Sequence, residues 1–218
     1  LTLLIVSFIM ILVFTSVAKG YKKNKGKAPK GVQAVFEPII VYLRDEVIKP
    51  NIGDHYEKFF PYLLTLFFFI LFGNIFGLIP GASNMTGNIA VTLVLALFTF
   101  FITNVKGNKG YWGHIFNPPG VPLWLKPLIV IIEIIGIFTK PISLTVRLFV
   151  AITAGHIVML SLISLTFIFG SYAVGGASSL IVLFISLIEI LVALIQAYVF
   201  TMFSALYIGL ATAKAEHH

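Results

Sequence analysis

Arg147 is the residue of this chain whose position most demands a chemical reason. It lies in Lys140-Pro141-Ile142-Ser143-Leu144-Thr145-Val146-Arg147-Leu148-Phe149, inside an apolar segment from Pro127 to Phe169. The other ionisable groups of that segment are Glu133, Lys140 and His156. A guanidinium at membrane depth costs about 2.5–3.5 kcal/mol on insertion scales, and it cannot shed its proton to escape that cost. Such a residue persists where it faces water, a partner charge or a moving ion. Glu133, Lys140 and Arg147 are spaced by sevens, so they fall near one helix face, although Pro141 can rotate the two halves. Ser143, Arg147, Ala151 and Ala154 form a stripe of small side chains that lets another helix approach. The bland alternatives are a structural salt bridge for Arg147 and an interfacial, snorkelling anchor for Lys140.

A second group lies in the last apolar stretch. Glu189 is its only acid, and an isolated carboxylate there takes up a proton or finds a partner. Glu189 and His156 stand 15 and 18 positions from Val174, so a hairpin turning at that point brings them to similar depth. Glu189, Gln196 and Tyr207 share a helix face; an acid, an amide and a phenol so arranged can order a chain of waters. Ordinary core hydrogen bonding is the competing account for all of them, His156 included. Asn74 and Asn88, amides of the earlier spans, read singly as groups bonded to neighbouring backbone. No phosphate loop, nucleophile elbow or metalloprotease His-Glu spacing is present, and the tail pair His217-His218 is a poor metal site. No cofactor, metal or catalytic residue is therefore expected.

The elements that must position these groups are membrane helices. Hydrophobic residues make up 59% of the 218 and charged residues 11%, against about 45–50% and 25% in soluble domains. The net charge of +7 does not point to nucleic acid, because the lysines sit in loops that flank apolar runs. With no cysteine, disulfides and thiolate sites are excluded. The chain reads as an all-α polytopic membrane protein. Residues 1–18 form an N-terminal span, expected to be truncated because Leu1 already lies in an apolar run. Residues 19–56 form a basic inside loop and an interfacial helix, and 57–105 a transmembrane pair. The Gly-, Pro- and Trp-rich residues 106–126 are an inside loop, 127–212 a helical hairpin, and 213–218 a tail. Six lysines between Lys19 and Lys30, and Lys106, Lys109 and Lys126, mark the inner side; Pro80–Gly87 and the turn Gly170–Ser178 are uncharged. Pro127–Phe169 would reach roughly 60 Å as one helix, about twice the hydrocarbon thickness. Either it hides a hairpin or it lies steeply tilted and bent near Pro141; with Ser179–Leu210, also over-long, it is expected as one of two strongly tilted helices beside otherwise upright ones.

These residues carry a resemblance to a known family. Lys140 through Phe149, Ala154-Gly155-His156, and the block from Glu189 through Ile195-Gln196-Ala197-Tyr198-Val199-Phe200 to Tyr207 resemble subunit a of rotary F-type ATP synthases. Weaker matches lie at Phe72-Gly73-Asn74 through Leu78-Ile79-Pro80 and at Asn88-Ile89-Ala90-Val91-Thr92. The resemblance implies a stator subunit of a bacterial plasma membrane, or alternatively the mitochondrial inner membrane. Its partners would be a rotor c-ring, b-type stalk subunits, other synthase subunits and lipids. It implies that Arg147 faces a rotor carboxylate and that Ser143 and Glu133 serve the inner half-channel. His156 and Glu189 would serve the outer one, Gln196 would lie near the arginine, and Tyr207, Asn74 and Asn88 would join the proton route. Many members have Asn where this chain has Ala151, and some have acids at Gly77 and Asn88. The rival reading, a secondary ion-coupled transporter, predicts duplicated broken helices, which the sequence lacks. A purely structural membrane scaffold is the third.

Overall fold

The computed structural model describes residues 2–23, 32–78, 87–116, 122, 124–169 and 172–213. Among these, all regular structure is helical. The lysine-rich residues 24–30, the Pro80-Gly81 end of the second span and the His217-His218 tail lie outside them. In order the elements are α1 (Thr2–Lys23), α2 (Val32–Tyr42), a π-helical turn (Leu43–Ile48), α3 (Lys49–Ile52) and a 3₁₀ turn (Gly53–His55). Then follow α4 (Tyr56–Gly77), α5 (Ile89–Val105), α6 (Lys109–Phe116), α7 (Lys126–Phe169) and α8 (Tyr172–Thr212). Four helical runs are long and apolar enough to cross a membrane: Thr2–Gly20, Gln33–Gly77, Lys126–Phe169 and Gly175–Thr212; α5 is apolar but shorter.

Helix is what an apolar solvent dictates, because each backbone group must be bonded within its own segment. The hydroxyls obey the same rule. Thr139, Thr145, Ser161, Ser164, Ser179, Ser186 and Thr201 each donate to the carbonyl four residues earlier, at 2.7–2.9 Å. The Thr145 hydroxyl donates to the carbonyl of Pro141, at 2.8 Å, and α7 runs through the proline for 44 residues.

α7 and α8 pack as an antiparallel pair. Lys140 meets Tyr207, Arg147 meets Phe203 and Gly155 meets Glu189. The opposite side of α8 is covered by α4, and α5 packs on both α7 and α8. Small side chains make this possible: Ala193, Ala197, Ala205 and Ala211 of α8 are fully buried, with Phe200 and Ile208 between them. At Gly209 an added Cβ would collide with the Asn51 carbonyl oxygen and lie 2.8 Å from its carbon, so only glycine lets α3 rest on α8. A cluster of Phe14, Phe36, Phe68 and Phe72 joins α1, α2 and α4.

Three boundaries differ from the sequence reading. α1 continues through the first lysines to Lys23. The loop 106–126 contains α6, whose Trp112 and Phe116 rings stack at 6.1 Å; the Asn108 side chain and backbone N–H both donate to α8, to Thr212 O and Ala211 O at 2.8 Å. The glycines read as a turn are helical, since α8 starts at Tyr172 and takes in Gly175 and Gly176. Where water cannot compete for the backbone, glycine loses most of its helix-breaking character.

Candidate functional site

The α7–α8 seam carries the polar groups. α7 runs unbroken through Pro141, and two turns after Lys140 it sets Arg147 against α8. Its guanidinium carbon lies 4.2 Å from the centroid of the Phe203 ring. Stacking on an aromatic face satisfies the cation's charge in part but not its donors: Nη1 is buried with no hydrogen-bond partner. Gln196, one heptad before Phe203 on α8, is 6% exposed, and its Nε2 is likewise unpartnered. Asn74 of α4 is 1% exposed and donates from Nδ2 to the Ala193 carbonyl at 3.1 Å, while its Oδ1 is left over. Because Ala193 precedes Gln196 by three positions, Asn74 approaches the same helical face as Gln196.

Farther along the seam, His156 and Glu189 come together. Gly155 has no side chain to hold Glu189 away: a Cβ there would collide with Oε1 and sit 3.1 Å from Cδ and 3.2 Å from Cγ. Glu189, 8% exposed, is close enough to His156 for the two to interact electrostatically. Yet Glu189 Oε2 and His156 Nε2 are both buried without a hydrogen bond, to each other or to any other described group. Thr153 Oγ1, three residues before His156, is also unpartnered. Buried orphans cost roughly 1–3 kcal/mol each, and several of those among the described residues lie along this seam; each calls for a partner that the described residues do not supply.

At the opposite end of the seam, Tyr207 is within electrostatic range of Arg147. The Lys140 ammonium lies 5.4 Å from the Tyr207 ring centroid and 5.7 Å from that of Tyr111. Glu133 interacts electrostatically with both Lys140 and Tyr111, joining the two residues that the spacing by sevens places together. Ser143, Arg147 and Ala151 are half-buried while Ala154 is exposed, so the small-residue stripe borders the open face of α7.

The sequence-derived set thus divides. Arg147, His156, Glu189, Gln196, Glu133 and Tyr207 lie along α7 and α8, with Asn74 reaching in from α4. Asn88 has a different part: exposed, it accepts the Ala90 N–H at 2.9 Å and caps α5. Phe203, Thr153, Tyr111 and Asn104 escaped the sequence reading, since an aromatic or a lone hydroxyl in an apolar helix gives no polar pattern. For Phe203 one signal existed, its place seven residues after Gln196. Among the described residues no group of three or more acidic, histidine or cysteine side chains can hold a metal.

Comparisons with known proteins add an independent result. The model of the family described as ATP synthase A chain matches residues 1–209. The chain is 49% identical to ATP synthase subunit a of Chlorobium phaeobacteroides, covering 99% of this chain and 65% of that protein. It is 49% identical to ATP synthase subunit a 2 of Chlorobaculum tepidum, covering 97% and 62%. With ATP synthase subunit a of Myxococcus xanthus the identity is 43%, over 96% of this chain and 71% of the relative. The chain spans less than two thirds of the length of the first two relatives.

Proposed function

The chain belongs to the ATP synthase A chain family, and we propose that it is the stationary proton-conducting subunit of an F-type ATP synthase. The observation that carries this reading is the row of buried, unpartnered polar atoms along the α7–α8 seam, at Arg147, His156, Glu189 and Gln196. A scaffold would pair such groups internally. A conduction path leaves them for water and for a charge that comes and goes.

In this reading Arg147 meets a carboxylate carried by a separate rotor ring. The fixed guanidinium favours the anion, so the carboxylate releases its proton on arrival. Protonation from the other half-channel then neutralises it for passage through lipid. The Arg147 charge also closes the direct route between the half-channels. Each elementary charge falling through 100 mV releases about 2.3 kcal/mol, and that energy is dissipated as heat unless the direct route is shut. His156 and Glu189 serve the outer half-channel, with Gly155 seating the carboxyl. Ser143 and Glu133 serve the inner one, Gln196 and Asn74 hold the region beside the arginine, and Tyr207 lies on the inward side. Asn88 acts through its cap, by fixing the start of α5.

The other partners are b-type stalk subunits, the remaining synthase subunits and lipids, in a bacterial plasma membrane. Helices of 44 and 41 residues are about 60–66 Å long. They fit a bilayer only when steeply inclined, which suits a pair laid along a curved rotor. The residues exposed on α7 and α8 agree with this, being large and apolar: Ile131, Ile135, Phe138, Ile142, Leu183 and Phe184.

The test uses membrane vesicles that hold the whole complex. Arg147→Lys is expected to abolish ATP-driven acidification with the subunit still assembled, because a partly desolvated ammonium can titrate where guanidinium cannot. Arg147→Ala is expected in addition to admit a passive proton leak. Normal acidification with either variant removes Arg147 from the mechanism and overturns the assignment.

A further inference from the structure

A second polar site lies where α5, α6, α7 and α8 converge, apart from the His156–Glu189 pair. It is a cavity of about 10 Å³ bordered by Thr99, Thr103, Asn104, Tyr111, Lys140 and Tyr207. That volume is about what one water requires, and a buried water also needs two to four polar partners. On its border two residues carry buried polar atoms without partners. Asn104 gives its Nδ2 to the Phe100 carbonyl at 2.8 Å, which leaves Oδ1 buried and unused. The Tyr111 hydroxyl is buried and unused as well. Lys140, over the faces of Tyr111 and Tyr207, supplies further donors. Thr103 gives its proton to the Thr99 carbonyl at 2.7 Å and keeps its oxygen as an acceptor.

We propose that this cavity holds one water, bonded to Asn104 Oδ1 and to the Tyr111 hydroxyl beside Lys140, and that this water is a station on the inward proton route toward Tyr207 and Arg147. The inference rests on the proton-channel reading above. Its location suits that role: the C-terminal end of α5, the whole of α6 and the N-terminal end of α7 carry Lys106, Lys109 and Lys126, which mark the inner side. From there the cavity borders Tyr207, which in turn is within electrostatic range of Arg147. Glu133 lies within electrostatic range of both Lys140 and Tyr111, so the Lys140 cation has an opposite charge near it. In a relay the water accepts one proton and passes on another, so no net charge has to rest there. Asn104 and Tyr111 are positioning residues, acting through the water.

Two measurements on the intact complex decide it. A density map fine enough to show ordered waters should contain a peak within hydrogen-bonding distance of both Asn104 Oδ1 and the Tyr111 hydroxyl. A cavity with no peak at that resolution overturns the site. In vesicles, Tyr111→Phe and Asn104→Leu are each expected to lower ATP-driven proton uptake by about threefold to tenfold, the worth of one hydrogen bond. The double variant should lose no more than the worse single, since both disturb the same water. Losses that multiply, or no loss at all, overturn the relay even where the water peak is present. If Asn104→Leu does not assemble, Asn104→Ala takes its place in the cycle. Arg147→Ala, run in the same vesicles, separates the two readings. Normal uptake there overturns the channel itself; uptake lost there but intact in Tyr111→Phe and Asn104→Leu overturns only the relay.

Discussion

Two polar groups cross helix α8, and they are built in opposite ways. In the first, Tyr62 of α4 bonds Thr99 of α5 at 2.9 Å, and Thr99 bonds Ser204 of α8 at 3.3 Å. Every hydroxyl there has a partner within the protein, and Ser204 is fully buried. In the second, Arg147, His156, Glu189 and Gln196 each keep a buried atom without a partner among the described residues. A closed network fixes helices relative to one another and has nothing left to exchange. An open one bears a standing cost that folding alone does not explain. On the proposed reading, the contrast separates structural polarity from functional polarity inside one helix bundle, where composition and burial by themselves do not.

The contrast can be broken or sharpened by substitution in the intact complex. The largest effect is expected for Glu189→Gln, which keeps shape and removes the titrating group. ATP-driven proton uptake should fall about 100-fold, as for the loss of a positioned acid–base group, with assembly unchanged. Gly155→Ala should follow. Its methyl displaces the Glu189 carboxyl rather than backbone, so uptake should drop about tenfold to 100-fold, as for an ångström-scale misplacement, at unchanged thermal stability. Gly209→Ala should show the reverse profile, because its methyl meets the rigid Asn51 carbonyl. We expect a loss of about 1–3 kcal/mol in stability, read as a lower melting temperature of the assembled complex. The smallest effect belongs to Tyr62→Phe, about 0.5–1.5 kcal/mol of stability with uptake within about twofold of normal. If Tyr62→Phe instead slows uptake as much as Glu189→Gln, the distinction between closed and open networks is wrong.

Much of the architecture could be read from the residues. Pro127–Phe169 was legible in extent, because its apolar run is long and few charges interrupt it; the hairpin that its length left open as an alternative is excluded by the single helix Lys126–Phe169. Ser179–Leu210 was legible in its body but not at its start. The glycines at 175 and 176 signal a turn by propensities measured in water, and they sit in a different solvent. α6 was hidden because its stability is tertiary, arising from stacked Trp112 and Phe116 and from Asn108 bonded to the end of α8. At the candidate site, charges and amides announced themselves by rarity. Phe203 beneath Arg147 did not, since one phenylalanine among 21 looks like any other until the partner helix is in place.

The contact between Gly209 and Asn51 has a mechanical meaning. On the proposed reading, whatever turns a rotor receives an equal and opposite torque, and the stationary subunit must pass that reaction to its anchorage without yielding. Side chains in contact can slip between rotamers, whereas main chain resting on main chain has almost no compliance. By seating the carbonyl of Asn51 directly on the α8 backbone, Gly209 welds the segment from Lys49 to Ile52 to the helix that carries Glu189 and Gln196. Force applied along α8 would then be delivered to that segment as a rigid displacement rather than absorbed in the α7–α8 seam.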